Sequence, residues 1–401
     1  MANDFAALVK KHYAEAVEEN LHKELTAMEF AGMVDIPNGT TKQIPFVKMR
    51  ATWNYTKYTD QTITDVDTWS DDIVINTTPM VSFGIDDLDV QDDYINVSPE
   101  VIDDATYAIK KRIDGDFFNQ ITNAKWKYDN SGFGLNTGTL TPVALTTWAS
   151  QNISAVFGNA KAGLVNTGCN GSKLMLWVDA FTTVSLTTLG LEAGFNVADE
   201  SYIRGFKGSF GWMKTYEISN LTSSTTLDLA TNPTAWDTIE IKWVVFTFTA
   251  LGAATVAWDI SLGASADATA ANIVLAVNWT WTPWAWTYIE VDSDDRAILE
   301  WVTATDGTDL VTFVSKTGAL LAKSKMTAAA NDFQAQALNC VIMEKGAIKM
   351  ALRNAVKVET RENPKNLVTN YFIYARYGLK VTTRGAAKMC RVAIQSIAAE
   401  S

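Results

Sequence analysis

The sequence predicts an α+β chain: a main body of long strands and long helices, interrupted by a small inserted α+β, mostly β, domain. Three observations carry that prediction. A Thr- and Asp-rich extended stretch runs from Ile36 to about Phe83 and leads into a long helix opened by Ser98-Pro99. The composition changes between about 222 and 326, where eight of the fourteen tryptophans lie. The earlier style then returns, and Val368 to Val381 reads as one long strand.

In chain order, residues 4–29 predict an amphipathic helix. Phe5, Leu8, Val9, Tyr13, Ala16 and Val17 fall at helical spacing, Leu21, Leu25 and Met28 continue the stripe, and Gly32 ends it. Its three lysines against six acids have the wrong sign for an anionic lipid surface. The helix is expected to dock on its own or a neighbouring subunit. Residues 36–83 lack helical periodicity. Ile44, Phe46, Val47 and Met49 make one extended segment, and 52–64 is polar, aromatic and β-prone. Ile73-Val74-Ile75 and then Val81, Phe83 and Ile85 make return strands. A lone two-stranded ribbon is marginal in water, so this one is expected to lie on another copy of the chain.

Asp86, Asp87, Asp89, Asp92 and Asp93 follow. They read as a solvated turn placing negative charge before a helix N-terminus, with a divalent cation as the other reading. Ser98 suits an N-cap and Pro99 a first turn, with Glu100, Asp103 and Asp104 at the positive end of the helix dipole. Val101, Ile102, Ala105, Ala108, Ile109, Ile113, Phe117 and Ile121 make its apolar face, to about Thr122. Thr141-Pro142 predicts the start of a second helix, with Leu145, Trp148, Ala149, Ile153, Val156, Phe157 and Leu164 inward. Residues 173–178 (KLMLWV) read as a buried strand, and 202–219 as Gly-punctuated strands. Inside the insertion, strands are expected at 238–249, 254–261, 286–291, 297–304 and 308–315, with a helix over 267–277.

Composition narrows the function. With 401 residues and 47% hydrophobic content the chain can bury a large core. Its 19% charged residues fall below the usual level of about 25%, which fits a surface covered by partners or a large Trp- and Thr-rich β content. A net charge of −12 argues against a free nucleic-acid binder relying on a basic field. No secretory leader and no apolar run of about 18 residues is present, so neither secretion nor a membrane is expected. Cys169, Cys340 and Cys390 form no CxxC pair and read as reduced thiols. Charge is uneven: 222–322 holds twelve acids against three basic residues, and 341–391 eleven basic residues against three acids. The two regions read either as partners that steer copies together or as unrelated solvated surfaces.

Catalytic chemistry finds no support. The two histidines, His12 and His22, lie about 80° apart around one helix and hold no zinc unaided. Gly132-Phe133-Gly134…Gly138 lacks the spacing and the Gly-Lys-Ser/Thr of a phosphate loop. Asp292-Ser293-Asp294-Asp295 begins like a calcium loop, but Ala297 and Thr303 stand where Gly and Glu are needed. Trp279, Trp281, Trp284 and Trp286 are candidates for a sugar-stacking platform, against core packing or a subunit contact. No enzyme activity, cofactor or metal is expected.

The order of elements resembles the major capsid proteins of tailed bacteriophages with the Hong Kong 97-like fold, over about 1–220 and 327–396. TTKQIPFVKMRATWNYTKYTDQTITDVDTWSDDIVI looks like that family's extended loop. MVSFGIDDLDVQDD and VSPEVIDDATYAIKKRIDGDFFNQI look like its return strand and spine helix, and LTTWASQNISAVFGNAKAGL like its second peripheral-domain helix. SKLMLWVDAF and IRGFKGSFGWMKTYEISNL look like the axial domain. RENPKNLVTNYFIYARYGLKVTTRGAAKMCRVAI looks like the closing strands, with Tyr377-Gly378 as a familiar phrase.

The resemblance implies an N-terminal arm helix (1–35), an extended β loop (36–85), a spine helix with the first part of the peripheral and axial domains (86–221), the inserted domain (222–326) and a closing part (327–401). It implies a homo-oligomeric shell of pentamers and hexamers around double-stranded DNA, located in the virion and assembled in the host cytoplasm. Portal, scaffold and cement or decoration proteins are its partners. Trp53, Tyr55, Lys57 and Tyr58 of the loop become inter-subunit contacts, and Lys349, Arg353 and Lys357 candidate electrostatic contacts. Some members crosslink a loop lysine to an asparagine. Lys57 falls near the loop tip, but no asparagine or acid partner is identified, so no crosslink is carried over. The chain opens at Met1, so no cleaved scaffolding segment is expected. Two alternatives stay open: an encapsulin-like compartment shell, and a surface adhesion or carbohydrate-binding protein acting through the Trp-rich insertion.

Overall fold

The computed structural model describes residues 27–36, 39–47, 57, 68–86, 98–128, 135–138, 140, 142–144, 150–180, 182–183, 206–210, 213–218, 221–279, 287–289, 291–334, 336–363 and 368–395. Most of the helix expected over 4–29 lies outside them, both histidines included; its last turn, Ala27–Phe30, is helical. The acidic block beyond Asp86 and the Gly132–Gly134 loop also lie outside. The chain forms two compact units, Met1–Gln120 with Gly346–Ala386, and Ile121–Lys345 with Ala387–Ser401.

The first unit is built on two long strands. Ile348–Asn363 pairs antiparallel with Val368–Val381, from Ile348 opposite Val381 to Asn363 opposite Val368, with register shifts between Leu352 and Lys357. Met80–Asp86 pairs antiparallel on the far side of Val368–Val381, where Phe83 stacks on Tyr371 at 5.2 Å. Gly32–Met33 adds a short parallel edge to Ile348–Asn363. β-branched and aromatic residues at alternate positions of 368–381 suit this pleated surface.

The helix Ser98–Asn119 lies against the sheet. Ala105, Ile109, Ile113 and Phe117, four residues apart, are buried. Ala108, placed on the same face from sequence, is exposed. Phe118 is buried beside Phe117, their rings edge-on at 5.3 Å; burial of each such ring contributes about 2–3 kcal/mol. Asp114 is also buried, and its Oδ1 accepts the Ala27 N–H at 2.7 Å. That bond ties the 27–30 turn to the long helix.

The second unit holds a large sheet and two cores. Along the sheet run 302–307, 310–315, 223–229, 337–344, 389–395, 126–128 and 135–136, with 174–178 paired on 337–344 and on 213–217. Leu174–Val178 is buried at every position, as expected for a strand covered on both faces. Val156, Phe157, Ala160 and Leu164 of the helix Ser150–Asn166 pack on it, with Cys340, Ile342, Cys390, Val392 and Ile394. The 222–326 stretch has a core of its own, around Ile239, Phe246, Phe248, Ile260, Ile273 and Phe313. It joins the main sheet through Ser223–Leu229, which pairs with Leu310–Ser315 and, at its first two residues, with Ala337 and Leu338.

Several expected boundaries move. Val143–Ala144 is a short strand parallel to Ile394-Gln395, and the helix begins at Ser150. The 238–249 strand is a hairpin, Thr238–Ile241 with Val244–Thr249, turning on Lys242-Trp243. Only Asp259–Ser261 of 254–261 is a strand. Ser293–Leu299 is helical, and the strand expected at 297–304 is Val302–Gly307. Asp292 explains the helix: its Oδ1 accepts the Asp295 N–H at 3.0 Å, as an N-cap does.

Candidate inter-subunit surfaces

Of the long two-stranded ribbon expected over 36–83, the described residues include one antiparallel pair, its root. Thr41–Val47 pairs antiparallel with Thr68–Val74, from Thr41 opposite Val74 to Val47 opposite Thr68. Trp53, Tyr55 and Tyr58 lie outside the described residues. Lys57 is in an exposed turn.

Four contacts fasten this root to the first unit's body. The Asp71 carboxylate accepts the Thr383 N–H at 2.8 Å and the Thr383 hydroxyl at 3.0 Å, capping the short helix Thr383–Ala387. The Arg384 guanidinium stands 5.6 Å over the Phe46 ring. Arg353 Nη1 donates to the Gly39 carbonyl at 2.9 Å. Ile36, Ile73, Ile75 and Ala351 form a small buried core beneath, with Val34 and Ile44 against it.

Gly378 accounts for the closeness of the fit. A Cβ there would sit 2.0 Å from the Val74 carbonyl oxygen, so only glycine admits the ribbon backbone. Its neighbour Tyr377 is buried, and its hydroxyl donates to Asp116 Oδ2 at 2.6 Å. Burial first, and the Asp116 carboxylate second, push the Tyr377 phenol well above its ordinary range. The Tyr-Gly pair therefore does two jobs: one residue anchors the strand to the helix, the other lets the ribbon pass. Sequence reasoning marked the pair but not Asp71, Thr383 or Arg384, which have no local signature.

The three basic candidates of Ile348–Asn363 have three different settings. Lys349 is half-buried, its side chain lying where Gly32 would carry a Cβ. Arg353 belongs to the ribbon root. Lys357 Nζ donates to Glu359 Oε1 at 2.6 Å, and the Tyr374 hydroxyl to the same oxygen at 2.7 Å. The hydrogen bond to Glu359 raises the Lys357 pKa and that from Lys357 lowers the Glu359 pKa. The first unit also exposes large apolar side chains, with Trp69 at 55% and Met80 at 59%.

In the 222–326 stretch, Trp279 caps the helix Ala266–Asn278 in left-handed backbone, packs against the local core and carries the Arg296 guanidinium 5.0 Å over its ring. Trp281, Trp284 and Trp286 lie outside the described residues. The three thiols are free; burial raises all of them, Cys390 to about 12, away from the lowered pKa of a reactive cysteine. Among the described residues no cluster of His, Cys, Asp or Glu is placed to hold a metal ion, and no helix is long and apolar enough to cross a membrane.

The fold, α+β and rich in strands, is similar to that of phage capsid chains. The likeness covers nearly the whole chain. A chain of the bacteriophage PhiM1 mature capsid superposes with a TM-score of 0.55 at 11% identity, over 96% of this chain and 92% of that one. One from the capsid of Cyanophage P-SCSP1u gives 0.52 at 11% identity, over 98% and 94%. One from Mycobacterium phage Che8 gives 0.51 at 10% identity, over 95% and 96%. At such identities the likeness is one of fold. No protein-family model and no curated protein matches the sequence.

Proposed function

We propose that this chain is the major capsid protein of a tailed phage, with the Hong Kong 97-like arrangement. In this reading it self-assembles as pentamers and hexamers into an icosahedral shell around double-stranded DNA. The observation that carries the proposal is the whole-chain likeness to phage capsid chains. The fastened ribbon root supports it, because a loop that reaches over a neighbour must be held firmly where it leaves its own subunit. The exposed Trp69 and Met80 fit surfaces that assembly covers. Obligate interfaces of this kind can bury more than about 2,000 Å². Portal, scaffold and cement proteins are its expected partners, and assembly takes place in the host cytoplasm before the chain becomes part of the virion.

Expression of the chain with its neighbouring genes, followed by electron microscopy, tests this reading. Closed shells containing DNA are expected. Deletion of residues 50–66 should leave a soluble, folded protein that forms no shell. Normal shells from that deletion would remove the role given to Trp53, Tyr55, Lys57 and Tyr58. Particles filled with a protein cargo and no DNA would favour an encapsulin-like compartment instead.

A further inference from the structure

Among the described residues, seven non-glycine residues have positive φ, and four are tryptophans: Trp236 at 77°, Trp243 at 76°, Trp258 at 71° and Trp279 at 50°. A side chain with a Cβ is disfavoured in that region, and the residues that enter it readily are Gly, then Asn and Asp. All four lie within 222–326.

Each occupies a position where the turn itself asks for glycine. Lys242-Trp243 is the two-residue connection between Ile241 and Val244, and both its residues have positive φ, at 50° and 76°. That is a type I′ hairpin turn, whose second position is the usual place of Gly. Trp236 and Trp258 repeat one design. The Asp237 N–H returns to the Thr234 carbonyl, and the Asp259 N–H to the Val256 carbonyl, each at 3.1 Å. The Asp carboxylates accept the Thr234 N–H at 2.8 Å and the Val256 N–H at 3.0 Å. In both β-turns the tryptophan is the third residue, which a type II turn reserves for glycine. Trp279 directly follows the last residue of a helix, in the left-handed conformation that Gly most often supplies there.

The side chains give no common reason for these placements. Trp236 is 81% exposed and Trp243 67% exposed. They stand at opposite ends of one hairpin, since the Trp236 N–H bonds to the Phe248 carbonyl and Trp243 is in the turn. Trp258 meets Asp295, and the Trp279 indole N–H is buried with no hydrogen-bond partner among the described residues. Four tryptophans at four separate turns do not converge on a ligand. The stretch 279–286 follows the same rule at the level of sequence. With glycine at each tryptophan, Asn278 to Thr287 becomes a Gly-, Thr- and Pro-rich connection, the composition of a loop.

We infer that these four are glycine positions, and that the ribosomes that make the protein in nature place glycine there. One codon joins the two residues: UGA is read as tryptophan in some genetic codes and as glycine in another. A gene with UGA at its turn glycines, read with the tryptophan code, gives this pattern of tryptophans in left-handed turns. Trp177, fully buried in the strand Leu174–Val178, is an ordinary tryptophan position by contrast. The inference concerns the chain's chemistry and stands apart from the shell reading.

The gene and the natural protein test it together. The codons at 236, 243, 258 and 279 should be UGA, and the one at 177 UGG. Peptide mass spectrometry of the protein from its natural source should find each of the four peptides lighter by the difference between tryptophan and glycine. UGG at the four codons, or tryptophan in those peptides, overturns the inference. The physical premise has its own check in recombinant protein. The double variant W236G/W243G should melt higher, by on the order of 5 °C, whereas W177G should lose its cooperative transition. A lower melting temperature for the double variant would remove the premise and the inference with it.

Discussion

The Tyr377 hydroxyl donates a 2.6 Å hydrogen bond to Asp116 Oδ2, joining the long strand pair to the long helix across 261 residues of sequence. Arg112 Nε holds the same oxygen at 3.2 Å from one turn earlier. Tyr377→Phe removes the buried donor and leaves Asp116 with Arg112. A loss of about 1.5 kcal/mol is expected, since the bond is made to a charged acceptor. The urea midpoint measures it, and an unchanged midpoint would mean that the bond is replaced by water.

Gly378→Ala should cost about 3 kcal/mol or more, because its Cβ would meet backbone, not a movable side chain. Gly39 makes the comparison. It has φ 79° with open space around it, so Gly39→Ala should cost only about 1 kcal/mol for its conformation. Equal losses at the two positions would show that the ribbon yields at Val74.

Asp71 and Thr383 should be coupled. Asp71→Ala and Thr383→Ala each remove part of one helix cap, and a double-mutant cycle should return about 1 kcal/mol of interaction. In the shell reading, Asp71→Ala should also lower particle yield more than it lowers melting temperature. Proportional losses of both would reduce the cap to a contribution to stability.

Asp179 gives a pH signature. It is buried, its Oδ1 accepts the Thr182 N–H at 2.9 Å, and its Oδ2 has no partner among the described residues. Burial, and behind it the Glu217 charge, raise its pKa against the opposing Thr182 hydrogen bonds. With the folded value above the unfolded one, the proton-bound fold is favoured: the stabilisation is complete below the unfolded pKa and is lost as pH rises through the folded one. Asp179→Asn should therefore raise the melting temperature at neutral pH, and the gain should shrink as pH falls toward the ordinary carboxylate range. A gain independent of pH would assign it to packing.

Local pattern made some of this legible. The helix face Ala105–Ile109–Ile113–Phe117 and the buried strand 174–178 follow from spacing and from an unbroken apolar run. What stayed hidden depends on distant partners. Thr141-Pro142 has the chemistry of a helix start, yet Val143–Ala144 pairs with Ile394-Gln395, a partner no local window contains. The 242–243 turn went unseen because Lys-Trp is no turn signal, although the backbone there is that of Asn-Gly. At the ribbon root, Arg353 was visible only as one charge in a basic stretch; its acceptor, Gly39, is 314 residues away.

The strand Ser223–Leu229 belongs at once to the 222–326 core and to the main sheet. An appendage hung on a flexible linker swings freely and passes no force to its support. Here a pull on the 222–326 core reaches Ala337 and Leu338 along backbone hydrogen bonds that share the load side by side. The stretch then acts as a stiffening rib of its sheet, and strain imposed on either is borne by both.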